Sequence, residues 1–292
     1  MNTPTPLNHH RALLGESPVW CARERALWWV DIPGRELLRW VNERLTRWSL
    51  PAEPGCLALH EDGHPRLARR DGLFRFDPAT GESTLLAPPP YDPGRQRFND
   101  GKVGPDGAWW IGTLSDAREN EAALYRWDGR SLQRMGEDVA VSNGLAWSPD
   151  GGTMYWSDTK AHRVFKLAFG ERLGAREVFA EWPVRDTNQA LSAYAGRPDG
   201  AAVDAEGCYW TAMFEGQQLL RLSPAGEVLQ RLELPVRCAT MPCFGGADLR
   251  TLFITTARSG RPADELAAQP WAGAVLTVRV EVPGAAVPVL RV

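Results

Sequence analysis

The order of strand and turn signals predicts an all-β fold, a six-bladed β-propeller with four antiparallel strands per blade. Three observations predict it. One layout of strand, polar turn and strand recurs six times, short aromatic-rich strands alternate with Gly, Asp and Asn turn signals, and helical periodicity is almost absent.

Each repeat opens with a short apolar strand, passes a polar turn and returns in a strand rich in aromatic or β-branched residues. The six segments are GESPVWCARERALWWVDI from Gly15, EPGCLALHEDGHPRLARR from Glu53, NDGKVGPDGAWWIGT from Asn99, SNGLAWSPDGGTMYWSDT from Ser142, RPDGAAVDAEGCYWTAM from Arg197 and TMPCFGGADLRTLFITTA from Thr240. Their period of about 40 to 55 residues lies in the range of propeller blades. A third strand follows most hairpins, as in RELLRWVNE, GLFRFDPATGE, AALYRWDGR, HRVFKLAF and QLLRLSPAGE, and a fourth follows as STLLA or VLQRLEL. A sandwich or barrel also shows short strands and frequent turns, but seldom repeats one four-strand layout six times. Only PADELAAQ, Pro262 to Gln269, reads as a helix, because it opens on proline and carries acids in its first turn. The Trp pairs at 28–29 and 109–110 read as packing between blades rather than as stacking surface.

The totals agree with one large all-β domain spanning residues 1–292. Hydrophobic residues make up 43% and charged residues 24%, enough to bury a sizeable core. The formal charge of -3 gives no global field toward nucleic acid or an anionic membrane. Five widely spaced cysteines without a CxxC pair argue against a complete disulfide set and against a thiolate zinc site. Residues 1–14 lack the apolar centre of a signal peptide and no stretch approaches about 18 apolar residues, so a cytoplasmic location is expected. GxSxG, GxGxxG and GxxxxGK[ST] are absent.

Overlaying the repeats brings Glu16, Asn99, Asn143 and Asp199 to one place, at or just before the start of a first strand. First strands line a propeller's channel, so these four should meet at its mouth. Pro54 and Met241 occupy the place in the other two repeats and leave the ring polar on one side. Asn-Gly and Asp-Gly are also strong hairpin turns. Each repeat already has its turn further on, however, and Glu16-Ser17-Pro18 is no such turn. Carboxylate and amide oxygens are hard donors for one divalent ion, Ca²⁺, Mg²⁺ or Mn²⁺, with Zn²⁺ or Fe²⁺ also accommodated. Arg97, two residues before Asn99, can reach the same mouth with planar donors for substrate hydroxyls. His60 and His64 flank a turn where histidines are usually solvated, and His9, His10 and His162 have no companion motif.

GESPVW with LWWVDI, RFNDGKVGPDGAWWIGT, SNGLAWSPDGGTMYWSDT and GRPDGAAVD together resemble four successive signatures of the gluconolactonase family, which includes regucalcin and the luciferin-regenerating enzymes. The resemblance runs from Gly15 to about Arg258. It implies one divalent ion held by Glu16, Asn143 and Asp199, a sugar contacted by Arg97 and Asn99, and Asp199 as the best-placed general base. The implied reaction is hydrolysis of an aldonolactone to the aldonic acid in sugar oxidation, with a small-molecule substrate and a monomer or weak oligomer. An acidic substrate contact belongs on the loop after the Gly112-Thr113 pair, where Asp116, Glu119 and Glu121 all lie nearby. Two other readings compete: a non-catalytic, metal-binding propeller that presents a surface to a protein, and a hydrolase of non-sugar lactones or esters.

Overall fold

A computed structural model describes residues 3–186 and 188–292. Its strands form six four-stranded antiparallel sheets. Blade 1 runs Gly15–Cys21, Ala26–Asp31, Glu36–Val41 and Arg44–Ser49, and blade 3 runs Gln96–Val103, Trp109–Ser115, Ala122–Trp127 and Leu132–Val139. Blades 2, 4 and 5 open on the inner strands Pro54–Ala58, Ser142–Trp147 and Arg197–Val203. Blade 6 takes three strands from the end of the chain, Ala239–Gly245, Thr251–Thr256 and Leu276–Arg279, and its outermost strand, Thr5–Pro6, from the beginning. Thr5 pairs with Thr277 and Pro6 with Leu276, so the seam joins the two ends of the sequence.

Alternation of side chains along a strand explains how the blades hold together. Trp28 faces the blade 1–blade 2 cluster with Leu57, Leu67 and Phe76, whereas Trp29 faces the blade 6–blade 1 cluster with Phe253 and Val275. Trp109 and Trp110 divide in the same way between the 2–3 and 3–4 clusters. Each Trp pair therefore serves two inter-blade cores, and burying a ring of this size dominates the local packing energy. The expected helix is present as Ala263–Ala268, flanked by Pro262 and Gln269. Among the described residues it is joined only by a single 3₁₀ turn, Leu191–Ala193. All five cysteines are free. No helix among the described residues is long and apolar enough to cross a membrane.

The inner strands start at one mouth of the channel and end at the other. At the far end a cavity of about 640 Å³ is lined by Val19, Leu57, Val103, Ala146 and Met241. The last residues of the chain cross that end. Ala285 N–H donates to Val203 O at 3.0 Å and Leu290 N–H to Leu59 O at 2.9 Å, and Leu290 is fully buried.

Candidate active site

All six inner strands carry a β-bulge near the start, where one extra residue opposes the second strand. In blade 1 Glu16 lies opposite Val30, and pairing resumes with Val19 opposite Trp28. In blade 4 Asn143 lies opposite Ser157, and pairing resumes with Ala146 opposite Tyr155. In blades 3 and 5 the last paired residues are Phe98 and Pro198, so Asn99 and Asp199 lie one residue further on, inside the bulge. The four ring residues thus come from two adjacent repeat positions rather than from the single one that the overlay predicts. A bulge re-aims side chains, which is how both positions reach the mouth. Met241, expected beside them, lines the opposite cavity instead.

Asn143-Gly144 and Asp199-Gly200 are interior to strands and are not hairpin turns. Gly144 has φ 61°, and a Cβ there would stand 2.5 Å from the Tyr209 hydroxyl, which donates to Gly144 O at 2.8 Å. At Gly200 a Cβ would meet Met241 Cβ at 2.5 Å, so the next blade leaves no room for one.

Glu16, Arg97, Asn99, Asn143 and Asp199 all line one cleft of about 670 Å³ at this mouth. Asn143, 3% exposed, donates through Nδ2 to Thr159 Oγ1 at 3.1 Å and to Asp199 Oδ1. Its Oδ1 is buried and has no partner among the described residues. Glu16 is similarly underused, accepting at Oε2 from Ser17 N–H at 3.2 Å. Burial pushes the Glu16 carboxyl well above the usual carboxylate range, and the charges of Asp199 and Asp100 push it further. Burial also raises Asp199 to about 7, with Asp100 adding to the rise while Arg197, the Asn143 amide and Arg118 oppose it. Two buried carboxylates and an orphaned amide oxygen form a hard, anionic donor set, which fits a divalent cation.

Arg97 is buried and its guanidinium donates through Nη1 to Phe98 O and Asn99 Oδ1, both at 2.8 Å. Asn99 Nδ2 in turn donates to Ser142 O at 3.0 Å. Asn99 therefore fixes the fork of Arg97 across two blades. Burial lowers the Arg97 pKa to about 10, with the charge of Arg118 adding to the fall, yet the group stays cationic at neutral pH.

A family model described as the SMP-30/Gluconolactonase/LRE-like region matches residues 14–258. The chain belongs to that family. It is 43% identical over 284 residues to a 6-deoxy-6-sulfogluconolactonase of Pseudomonas putida, an alignment that covers 95% of this chain and 94% of the relative. It is 32% identical to regucalcin of Xenopus laevis over 91% of this chain and 90% of that one. Among solved structures, the calcium-binding protein regucalcin of Agrobacterium tumefaciens superposes with a TM-score of 0.91 at 32% identity, covering 100% of this chain and 98% of its own. A gluconolactonase of Xanthomonas campestris gives 0.72 at 26% identity, covering 96% and 88%. These homologues support a sugar lactone hydrolase.

Where the family pattern leads one to expect an acidic substrate contact, this member has none facing the cleft among the described residues. Asp116 is bound by Arg70 at 2.9 and 3.0 Å, Glu121 by Arg95 at 3.0 Å, and Glu119 is exposed and outside the cleft lining. Arg118 from the same loop lines the cleft in their place. Sequence reasoning missed Arg118, and it missed His162, whose ring bonds Pro183 O at 2.9 Å and the Tyr194 hydroxyl at 3.2 Å beside the site. It also missed Asp100, a bulge neighbour of Asn99 that accepts from Leu145 N–H at 2.8 Å and keeps Oδ1 unpaired. The FND run was the available signal for Asp100.

Two histidine clusters lie away from the cleft. His60 and His64 both engage Asp62 around their turn. His10, Asp31 and Glu36 converge as well, but Asp31 is committed to the Leu13, Leu14 and Gly34 amides and Glu36 to Arg47.

Proposed function

We propose that the protein opens a sugar lactone to the aldonic acid, with one divalent cation held by Glu16, Asn143 and Asp199 and the sugar bound by Arg97 and Asn99. The observation that carries this reading is the orphaned Asn143 Oδ1 beside two buried carboxylates on the wall of an open cleft. A protein without a cation there would leave two mutually repelling acids and an unsatisfied amide buried together. Two of the relatives are named for an aldonolactone, and they differ on whether it carries an anionic substituent.

When bound, the cation supplies a Lewis acid for the lactone carbonyl. Arg97, pinned by Phe98 O and Asn99, presents its remaining N–H groups to sugar hydroxyls and orients the ring. Asp199 is the residue we assign as general base, because it is a carboxylate on the cleft wall beside the proposed cation, where water and the lactone carbonyl meet. Water oxygen bonds to the carbonyl carbon, the acyl–ring oxygen bond breaks, and the freed ring oxygen leaves as a hydroxyl. The product is a carboxylic acid that ionises, so each turnover releases one proton.

The test is chelator-stripped protein reloaded with Ca²⁺, Mg²⁺, Mn²⁺, Zn²⁺ or Fe²⁺ in turn. Acid release is followed on gluconolactone, xylonolactone, arabinolactone and galactonolactone. We expect at least one metal to restore turnover on at least one lactone. No metal-dependent rate above spontaneous hydrolysis on any of them overturns the reading.

A further inference from the structure

Charge along the cleft is unevenly distributed. Glu16 and Asp199 face the proposed cation, and Glu215 is held by Arg197 at 2.5 Å and Arg261 at 2.7 Å. Arg185 is committed to Gln189 O at 3.0 Å and lies 6.0 Å over the Tyr194 ring. Arg118 and Lys160 remain. Among the described residues no acid lies within ion-pair distance of either, and the one carboxylate left on this rim, Asp186, is exposed and caps the Asn188 amide at 2.8 Å.

The two loops that carry these residues are tied to each other. Arg118 adopts a left-handed φ of 59°, with its N–H bonded to Ser115 O at 2.9 Å, and its carbonyl oxygen accepts from Lys160 Nζ at 2.7 Å. A loop of blade 3 and a loop of blade 4 thereby each bring a cationic residue to the lining of the cleft. Cations there that no acid contacts favour a substrate that carries an anion. Arg118 and Lys160 line the same cleft as Arg97 and Asp199, which puts them within range of one substrate molecule bound at those residues.

Resting on the lactone hydrolase reading, we infer that the substrate is an aldonolactone bearing a terminal oxyanion, a sulfonate or a phosphate, and that Arg118 and Lys160 hold that group. Planar N–H donors and an ammonium together satisfy a tetrahedral oxyanion, and such charge-assisted bonds are about twice as strong as neutral ones. A neutral sugar hydroxyl at the same place would leave both cations without a direct ion-pair partner.

The test compares glucono-1,5-lactone with its 6-phospho and 6-deoxy-6-sulfo analogues, in the metal-loaded wild type and in Arg118→Gln/Lys160→Gln. We expect kcat/KM to favour one or both anionic lactones over the neutral one by about 10- to 100-fold, the scale of one or two charge-assisted bonds. The preference should shrink with added salt, and in the double variant it should fall through KM. Whether the phospho or the sulfo arm is faster identifies the group. Equal kcat/KM on all three, or a preference that survives in the double variant, overturns the inference and leaves the hydrolase reading intact. If no lactone is opened, calorimetry with gluconate and 6-phosphogluconate decides separately. Tighter binding of 6-phosphogluconate that the double variant loses supports the oxyanion site, and equal binding rejects it.

Discussion

Buried aspartates in the blade hairpins and buried aspartates at the channel mouth belong to the same chain and are satisfied in opposite ways. Asp204 is fully buried, yet it accepts from the Glu206 and Cys208 amides at 3.0 Å, Trp210 Nε1 at 2.9 Å and Arg221 Nε at 2.8 Å. Asp158 is likewise committed to the Ala140, Val141 and Lys160 amides. Asp199 accepts from one amide group and faces Glu16 and Asp100. A carboxylate with donors on both oxygens organises a hairpin, whereas one left short of donors beside others of its kind calls for a cation. Burial alone therefore does not mark a functional acid; the number of donors spent on it does.

Asp204→Ala leaves Arg221, Trp210 Nε1 and two amides without their acceptor, so we expect a loss of about 3–5 kcal/mol of stability in urea unfolding. Its metal affinity and lactone KM should stay at wild-type values. If Asp204→Ala instead weakened metal binding, hairpin and mouth would not be separable.

Asp199→Asn should do the reverse. Its fold is retained, while turnover at saturating metal falls by at least about 10²-fold, the lower end of a general-base contribution. Near wild-type turnover would mean that Asp199 is neither base nor essential ligand.

A pH series sharpens the same contrast. Asp199 ionises near 4 in the unfolded chain but only at about 7 in the fold, and Glu16 is shifted the same way. The metal-free protein therefore feels no penalty below about pH 4, and that stability is lost as pH rises through about 7. Thermal unfolding from pH 5 to 8 should show the metal-free Tm falling and the gain on metal loading widening by several degrees. A gain that shrinks with pH would contradict the shared burial of the two acids.

The smallest expected effect is at Glu121, half-buried at the end of the loop of Arg118 and paired with Arg95. Glu121→Ala should leave lactone KM within about twofold of wild type, as for a surface change away from the site. A larger rise in KM would return Glu121 to the substrate contacts.

The blades were legible because each carries its own copy of the strand and turn pattern, and six copies overrule any one ambiguous segment. Convergence of Glu16, Asn99, Asn143 and Asp199 on one cleft followed from the same repeat. Their offset by one residue did not, since a bulge adds a residue to the inner strand without changing the apolar pattern around it. Arg118 and His162 were illegible for another reason. Each sits on the loop between the second and third strands of its blade in a left-handed conformation, φ 59° and 57°, that no strand periodicity announces. Even the orphaned oxygen of Asn143 appears only when Thr159 and Asp199 are seen to take its amide hydrogens.

The seam in blade 6 adds a matter of timing. Thr277 Oγ1 bonds Thr5 O across 272 residues of sequence, so the strand synthesised first is the last to find its partner. At 5–20 residues per second the ribosome needs roughly 15–55 s to deliver that partner. For much of that interval Glu16 exists without Asp199, which follows it by 183 residues. Closing the hoop and assembling the acid cluster are thus late events in the life of the nascent chain, and the earliest blades must wait on the ribosome with one flank uncovered.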